Sequence, residues 1–331
     1  MSSIWQRLLR IPTANASFAQ RKFHFLRDSA RQRLELSGET FLLGYHIALA
    51  DQGSESMAER LTAINLEFRG FAFEGSAMAL DILDQLHPRR ARRIESFLSG
   101  PGSAHVYMVH VGVGWSMARW RLGVERRLAR LDPLLKWLAL DGFGFHEGYF
   151  HWPRYAAGEV PRFLRRRGYG SRAFHQGLGR SLWFVGGADP EYISVAILRF
   201  PEPQRDDLWS GIGLASTYAG GARNSDLHAL RLASGPHWPH LGQGAVFAAG
   251  ARHRAGNVSA QTEAGCQALC GISARRAAEL CEETLRDSTT GKAPSYMVPA
   301  YEEWRRLIRL RLQVSQDIYE NFPPMTAAGR V

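Results

Sequence analysis

Two short stretches concentrate the side chains best able to move protons or hold a ligand: GFGFHEGYFHW at 142–152 and FHQGLGRSLW at 174–183. Glu147 and His151 stand four residues apart, one helical turn, so a helix would bring them together. In an apolar pocket such a carboxyl–imidazole pair is poised to give and take protons near neutral pH. His175 adds a second imidazole from the next segment, making Glu147, His151 and His175 the candidate catalytic groups. His146, Gln176, Arg180 and Gln243 would orient a polar end of a ligand, with Trp115, Tyr149, Trp183 and Trp209 as aromatic walls. The competing reading is that these polar groups bond one repeat to the next; His46, His110 and Glu263 are weaker candidates of the same kind.

A metal site is not expected. HEGYFH is HExxxH, not HExxH, which leaves His146 and His151 about 140° apart round a helix and unable to chelate one ion together. The sequence also lacks a phosphate-binding loop, a GxSxG elbow and a GxGxxG turn leaving a strand. Nothing in it calls for a cofactor.

These residues need elements to position them, and the elements repeat. Gly44, Gly75, Gly114, Gly148, Gly177, Gly211 and Gly244 recur 29 to 39 residues apart, six of them followed four residues on by Ala or Ser. Glycine inside a helix costs up to about 1 kcal/mol against alanine, so close helix packing must offset it. A spacing of about 34 residues is that of a helical hairpin. The expectation is an all-α chain: an N-terminal segment 1–38, about seven hairpins over 39–271, and a C-terminal helical cap 272–331 ending in a flexible tail. It would form a tetratricopeptide-like α-solenoid or, with the same hairpins closed, an α/α toroid. Aligned on these glycines, His146 shares a slot with His175, and Glu147 shares one with Glu74, Gln176, Ser210 and Gln243.

The net charge is +10 over 331 residues, yet only Lys22, Lys136 and Lys292 are lysines, and the arginine runs are short (89–93, 165–167, 305–311). Without a nucleic-acid-binding motif these read as solvated helix faces. Cys266, Cys270 and Cys281 are too few for a disulfide framework. No uncharged run reaches the roughly 18 residues of a membrane span, and a cytoplasmic protein is expected.

The blocks FRGFAFEGSAMALDILD, GPGSAHVYMVHVGVGWSMAR, LDPLLKWLALDGFGFHEGYFHW, FHQGLGRSLWFVGGADP and DLWSGIGLASTYAGG resemble the bacterial enediyne biosynthesis protein UnbL family, over about residues 6 to 310. That resemblance implies an accessory role beside an iterative polyketide synthase and UnbV- and UnbU-type companions. Two functions follow from it as expectations. One is a cofactor-independent maturation factor that binds an apolar polyene or polyketide and assists its cyclisation. The other is a non-catalytic scaffold holding the synthase and its companions. Neither involves nucleic acid.

Overall fold

The structure is a computed structural model that describes residues 8–321 apart from 52–54, 88–91, 157, 158, 160, 162, 163, 165–167 and 291–297. The basic run 165–167 and the tail 322–331 lie outside the described residues. Every described element is helical, as the sequence predicts, and no strand occurs among the described residues.

Among the described residues nine long helices make the frame: α1 (Asp28–Asp51), α2 (Arg69–Leu86), α3 (Val106–Trp120), α4 (Lys136–Ala156), α5 (Gly168–Val185), α6 (Glu202–Ala219), α7 (Trp238–Arg254), α8 (Ala274–Thr290) and α9 (Ala300–Asn321). The connecting helices described are only three to eleven residues long, so the two halves of the expected hairpins are unequal. One of them, Pro190–Leu198, starts as its sequence dictates: Asp189 accepts the Glu191 N–H at 3.0 Å, and proline fills the first helical position.

Each of α1 to α7 packs against the next. The reason is glycine, used in pairs two residues apart. A Cβ on Gly177 would sit 1.9 Å from the Asp141 carbonyl of α4, and one on Gly179 would sit 2.1 Å from the Leu208 carbonyl of α6. One glycine of the pair thus faces the preceding helix and the other faces the following one. Gly112 and Gly114 do the same between α2 and α4, Gly142 and Gly144 between α3 and α5, and Gly211 and Gly213 between α5 and α7. Backbone lies directly on backbone, which no side chain would permit.

This contact pattern corrects the repeat frame read from the sequence. In α4 the pair that meets both neighbours is Gly142 and Gly144, whereas Gly148 abuts only the Ser181 and Leu178 side chains. The slot before the first glycine therefore holds Glu74, Val111, Asp141, Gln176, Ser210 and Gln243, with Asp141 where Glu147 was expected. His175 pairs in register with His110, two before Gly112, and not with His146.

α2 and α3 run parallel, and so do α4 and α5. Glu74 meets Gly112 and, further along both chains, Asp81 accepts from Ser116; likewise Asp141 meets Gly177 and Gly148 meets Ser181. The row is curled, because Arg33 of α1 donates to the Ala219 carbonyl at the end of α6 at 2.6 Å, and Phe71 of α2 meets Tyr218 edge-on. One hydrophobic core extends from Leu9 to Leu312.

Candidate functional site

The slot before the first glycine faces the inside of the curl and builds a buried polar ladder. Asp141 accepts from Gln176 Nε2 at 2.7 Å and pairs with Arg180 Nη1. Ser210 bridges the Gln176 and Gln243 side-chain oxygens at 3.3 and 2.9 Å. Arg305, carried in by α9 and fully buried, donates to Gln243 at 3.0 Å and to Asp207 at 2.8 Å. Asp207 and Glu302 also take Arg172, each at 3.1 Å. Gln243 Nε2 and Arg180 Nε lack a partner, but every carboxylate of the ladder is satisfied, as buried charge requires.

Glu74 is the exception. It occupies the same slot on α2 and is 1% exposed, yet neither carboxyl oxygen has a hydrogen-bond partner. Burial raises its pKa, the nearby Asp141 adds to the rise, and Arg180 and the Trp115 indole oppose it, leaving it at about 7. Charge balance gives the same answer: Asp141 and Arg180 already cancel, so an ionised Glu74 would be an uncompensated buried anion. At neutral pH the group is divided between acid and carboxylate.

Glu74 lines a cavity of about 50 Å³ walled by aromatic rings of four helices: Phe41, Phe71, Trp115, Phe145, Tyr149 and Phe150. Trp115 stands at its centre, 4.7 Å from Phe41 and 5.1 Å from Phe145, ring to ring. Ile11, Asn15 and Ala16 of the N-terminal segment close one side, held by Tyr45 Oη donating to Leu9 O at 2.9 Å and Phe18 N donating to Glu35 at 2.8 Å. A second cavity, about 30 Å³, lies beyond Arg180 and is lined by Leu138, Leu214, Phe247 and Trp304 among others. Both are smaller than the roughly 150 Å³ that admits benzene, so an organic ligand must displace part of the wall.

His146 reaches the same aromatic cavity. Burial lowers its pKa, so the ring is neutral near pH 7, and its Nδ1 lies 3.3 Å from Glu147 Oε1. A carboxylate there selects the Nδ1–H tautomer and leaves Nε2 as a lone-pair acceptor. Glu147 is anchored by Arg121 at 2.6 Å and by the Tyr155 hydroxyl. Burial works against its charge, but hydrogen bonds from His146 and Tyr155 together with Arg121 hold its pKa at about 2. It is a fixed anion that positions His146.

Glu147 and His151 do not meet. Pro153 cannot continue the helix, and the backbone breaks at His151 (φ −136°, ψ 30°), leaving that imidazole exposed. His175 is spent on its own helix, Nδ1 bonding to the Ser171 carbonyl at 2.7 Å, and His110 does the same with Val106. Trp115, Tyr149 and His146 line the aromatic cavity and Arg180 the second one. Gln176 and Gln243 belong to the ladder, and neither Trp183, which donates to Gly220 O at 2.9 Å, nor Trp209 lines either cavity. Among the described residues, no three His, Cys, Asp or Glu side chains come together as metal ligands, and no helix is long and apolar enough to cross a membrane.

Fold and site together define an all-helical protein with a small aromatic cavity and one partnerless acid inside it. The family model described as "Protein of unknown function (DUF1702)" matches residues 1–312, and the chain belongs to that family. No curated protein and no solved structure matches it.

Proposed function

We propose that this protein takes an apolar, unsaturated small molecule into the aromatic cavity and moves protons on it without a cofactor, Glu74 acting as acid and His146 as the complementary base. The observation that carries this reading is the Glu74 carboxyl, buried among aromatic rings with no partner and a pKa of about 7. A structural acid would be paired, as Asp141, Asp207 and Glu302 are; an unpaired one held near neutrality is suited to general acid–base work. The pathway we assign is natural-product biosynthesis of the enediyne-polyketide type. Its support is the sequence resemblance to the UnbL family, and a polyene or polyketide intermediate fits rings that offer π-faces and few polar groups.

The test is complementation. In a host strain lacking the gene, the wild-type gene restores the missing metabolite and Glu74→Gln does not, although the variant accumulates as folded protein. Full restoration by Glu74→Gln would remove the acid–base role. Co-purification of that fully active variant with the synthase would leave the scaffold reading in its place.

A further inference from the structure

Glu74 is not alone in lacking a partner. Trp115 Nε1 and Arg180 Nε are buried without one as well; Trp115 lines the same cavity as Glu74, and Arg180 lines the second. The Trp115 N–H lies near enough to the Glu74 carboxyl to lower its pKa as a weak donor, short of full hydrogen-bond geometry, and Arg180 acts on it through charge. Arg180 is held in place: Nη1 is bonded to Asp141 and the guanidinium lies 4.7 Å over the Phe145 ring. Its free Nε–H is therefore a fixed donor, and so is the indole N–H.

The balance of donors and acceptors identifies what belongs there. Two N–H groups, and a third donor whenever Glu74 carries its proton, are buried beside one carboxyl group without a hydrogen bond of good geometry. Leaving buried donors unmet costs about 1–3 kcal/mol each. A pure hydrocarbon would leave all of them unmet. An oxygen with two lone pairs would satisfy two of them.

Resting on the acid–base reading above, we propose that the ligand is an apolar chain bearing a carbonyl oxygen, and that this oxygen docks between Glu74, Trp115 Nε1 and Arg180 Nε while the chain lies along the rings. The same donors would stabilise an enol or enolate oxygen formed by proton removal from the adjacent carbon chain. That step only relocates protons and double bonds, so it needs no oxidant or reductant.

Two fluorescent probes test this on the full-length protein: a conjugated tetraene ketone and the tetraene hydrocarbon of equal length, titrated by quenching of tryptophan emission. The expected result is ketone binding at least tenfold tighter than hydrocarbon binding. Trp115→Phe should reduce that preference about tenfold while changing hydrocarbon affinity less than threefold. Equal affinity of the two probes for the wild type would overturn the oxygen site and leave the aromatic cavity standing. Binding of neither probe would overturn both readings. Should Trp115→Phe not fold, the wild-type comparison decides alone. An unchanged preference in a folded variant would overturn the indole's role.

Discussion

At the scale of single residues, Glu74 and Glu147 show how surroundings give one side chain opposite characters. Glu147 accepts from three donors and stays ionised to about pH 2; Glu74 accepts no hydrogen bond of good geometry and holds its proton to about pH 7. Stability should therefore depend on pH in opposite senses. The folded pKa of Glu74 is raised, so its cost is absent below about pH 4, grows as pH rises from about 4.5 to 7, and then stays constant. Two and a half units correspond to about 3 kcal/mol. Glu74→Gln should accordingly raise stability by up to about 3 kcal/mol at pH 8 and leave it unchanged at pH 4, measured by urea unfolding across pH. A loss of stability at pH 8 would show that Glu74 has a partner after all. Glu147→Gln should do the reverse, destabilising at pH 7 by about 2–3 kcal/mol, with the difference disappearing as pH falls from about 4.5 toward 2.

At the scale of elements, the helical class and the roughly 34-residue rhythm were legible because glycine inside a helix is costly and its recurrence needs a cause. The frame was not, since every GxG pair offers two glycines and only the fold shows which neighbour each one meets. Choosing Gly148 in place of Gly142 moved the inward slot of α4 from Asp141 to Glu147, and the candidate site moved with it. The break at His151 could be read from Pro153 two residues later. The importance of Glu74 could not, because its distinction is the absence of a partner, which no linear pattern records. The close contact itself is testable with Gly177→Ala. The substitution gains up to about 1 kcal/mol of helix propensity, but its methyl meets the Asp141 carbonyl at 1.9 Å, and overpacking of backbone costs about 1–3 kcal/mol or more. The clash should win and lower the urea midpoint. An unchanged or higher midpoint would mean that α4 and α5 are not in backbone contact.

At the scale of the whole molecule, the polar ladder joins helices distant in the chain. Arg305 of α9 reaches Gln243 of α7 and Asp207 of α6, and Tyr301 of α9 bonds to Gln176 of α5 at 3.2 Å. Removing one member of a buried charge pair strands the other at a cost of about 3–5 kcal/mol. Arg305→Ala should destabilise by that order in thermal or urea unfolding. Ending the chain at residue 298 should prevent folding altogether, since Asp207, Gln176 and Gln243 would each lose a partner and Phe247 would lose its cover of Tyr301 and Trp304.

Arg305 also bears on how the protein emerges from the ribosome. The carboxylate of Asp207 and the amide of Gln243 are synthesised some sixty to a hundred residues before the Arg305 guanidinium that bonds them both. Until α9 has been made, the nascent chain has only Arg172 to pair with Asp207 and no side chain in the place of Arg305. Products of termination before residue 305 would retain that defect and remain open to proteolysis, so α9 acts as a built-in check that the message was read past it.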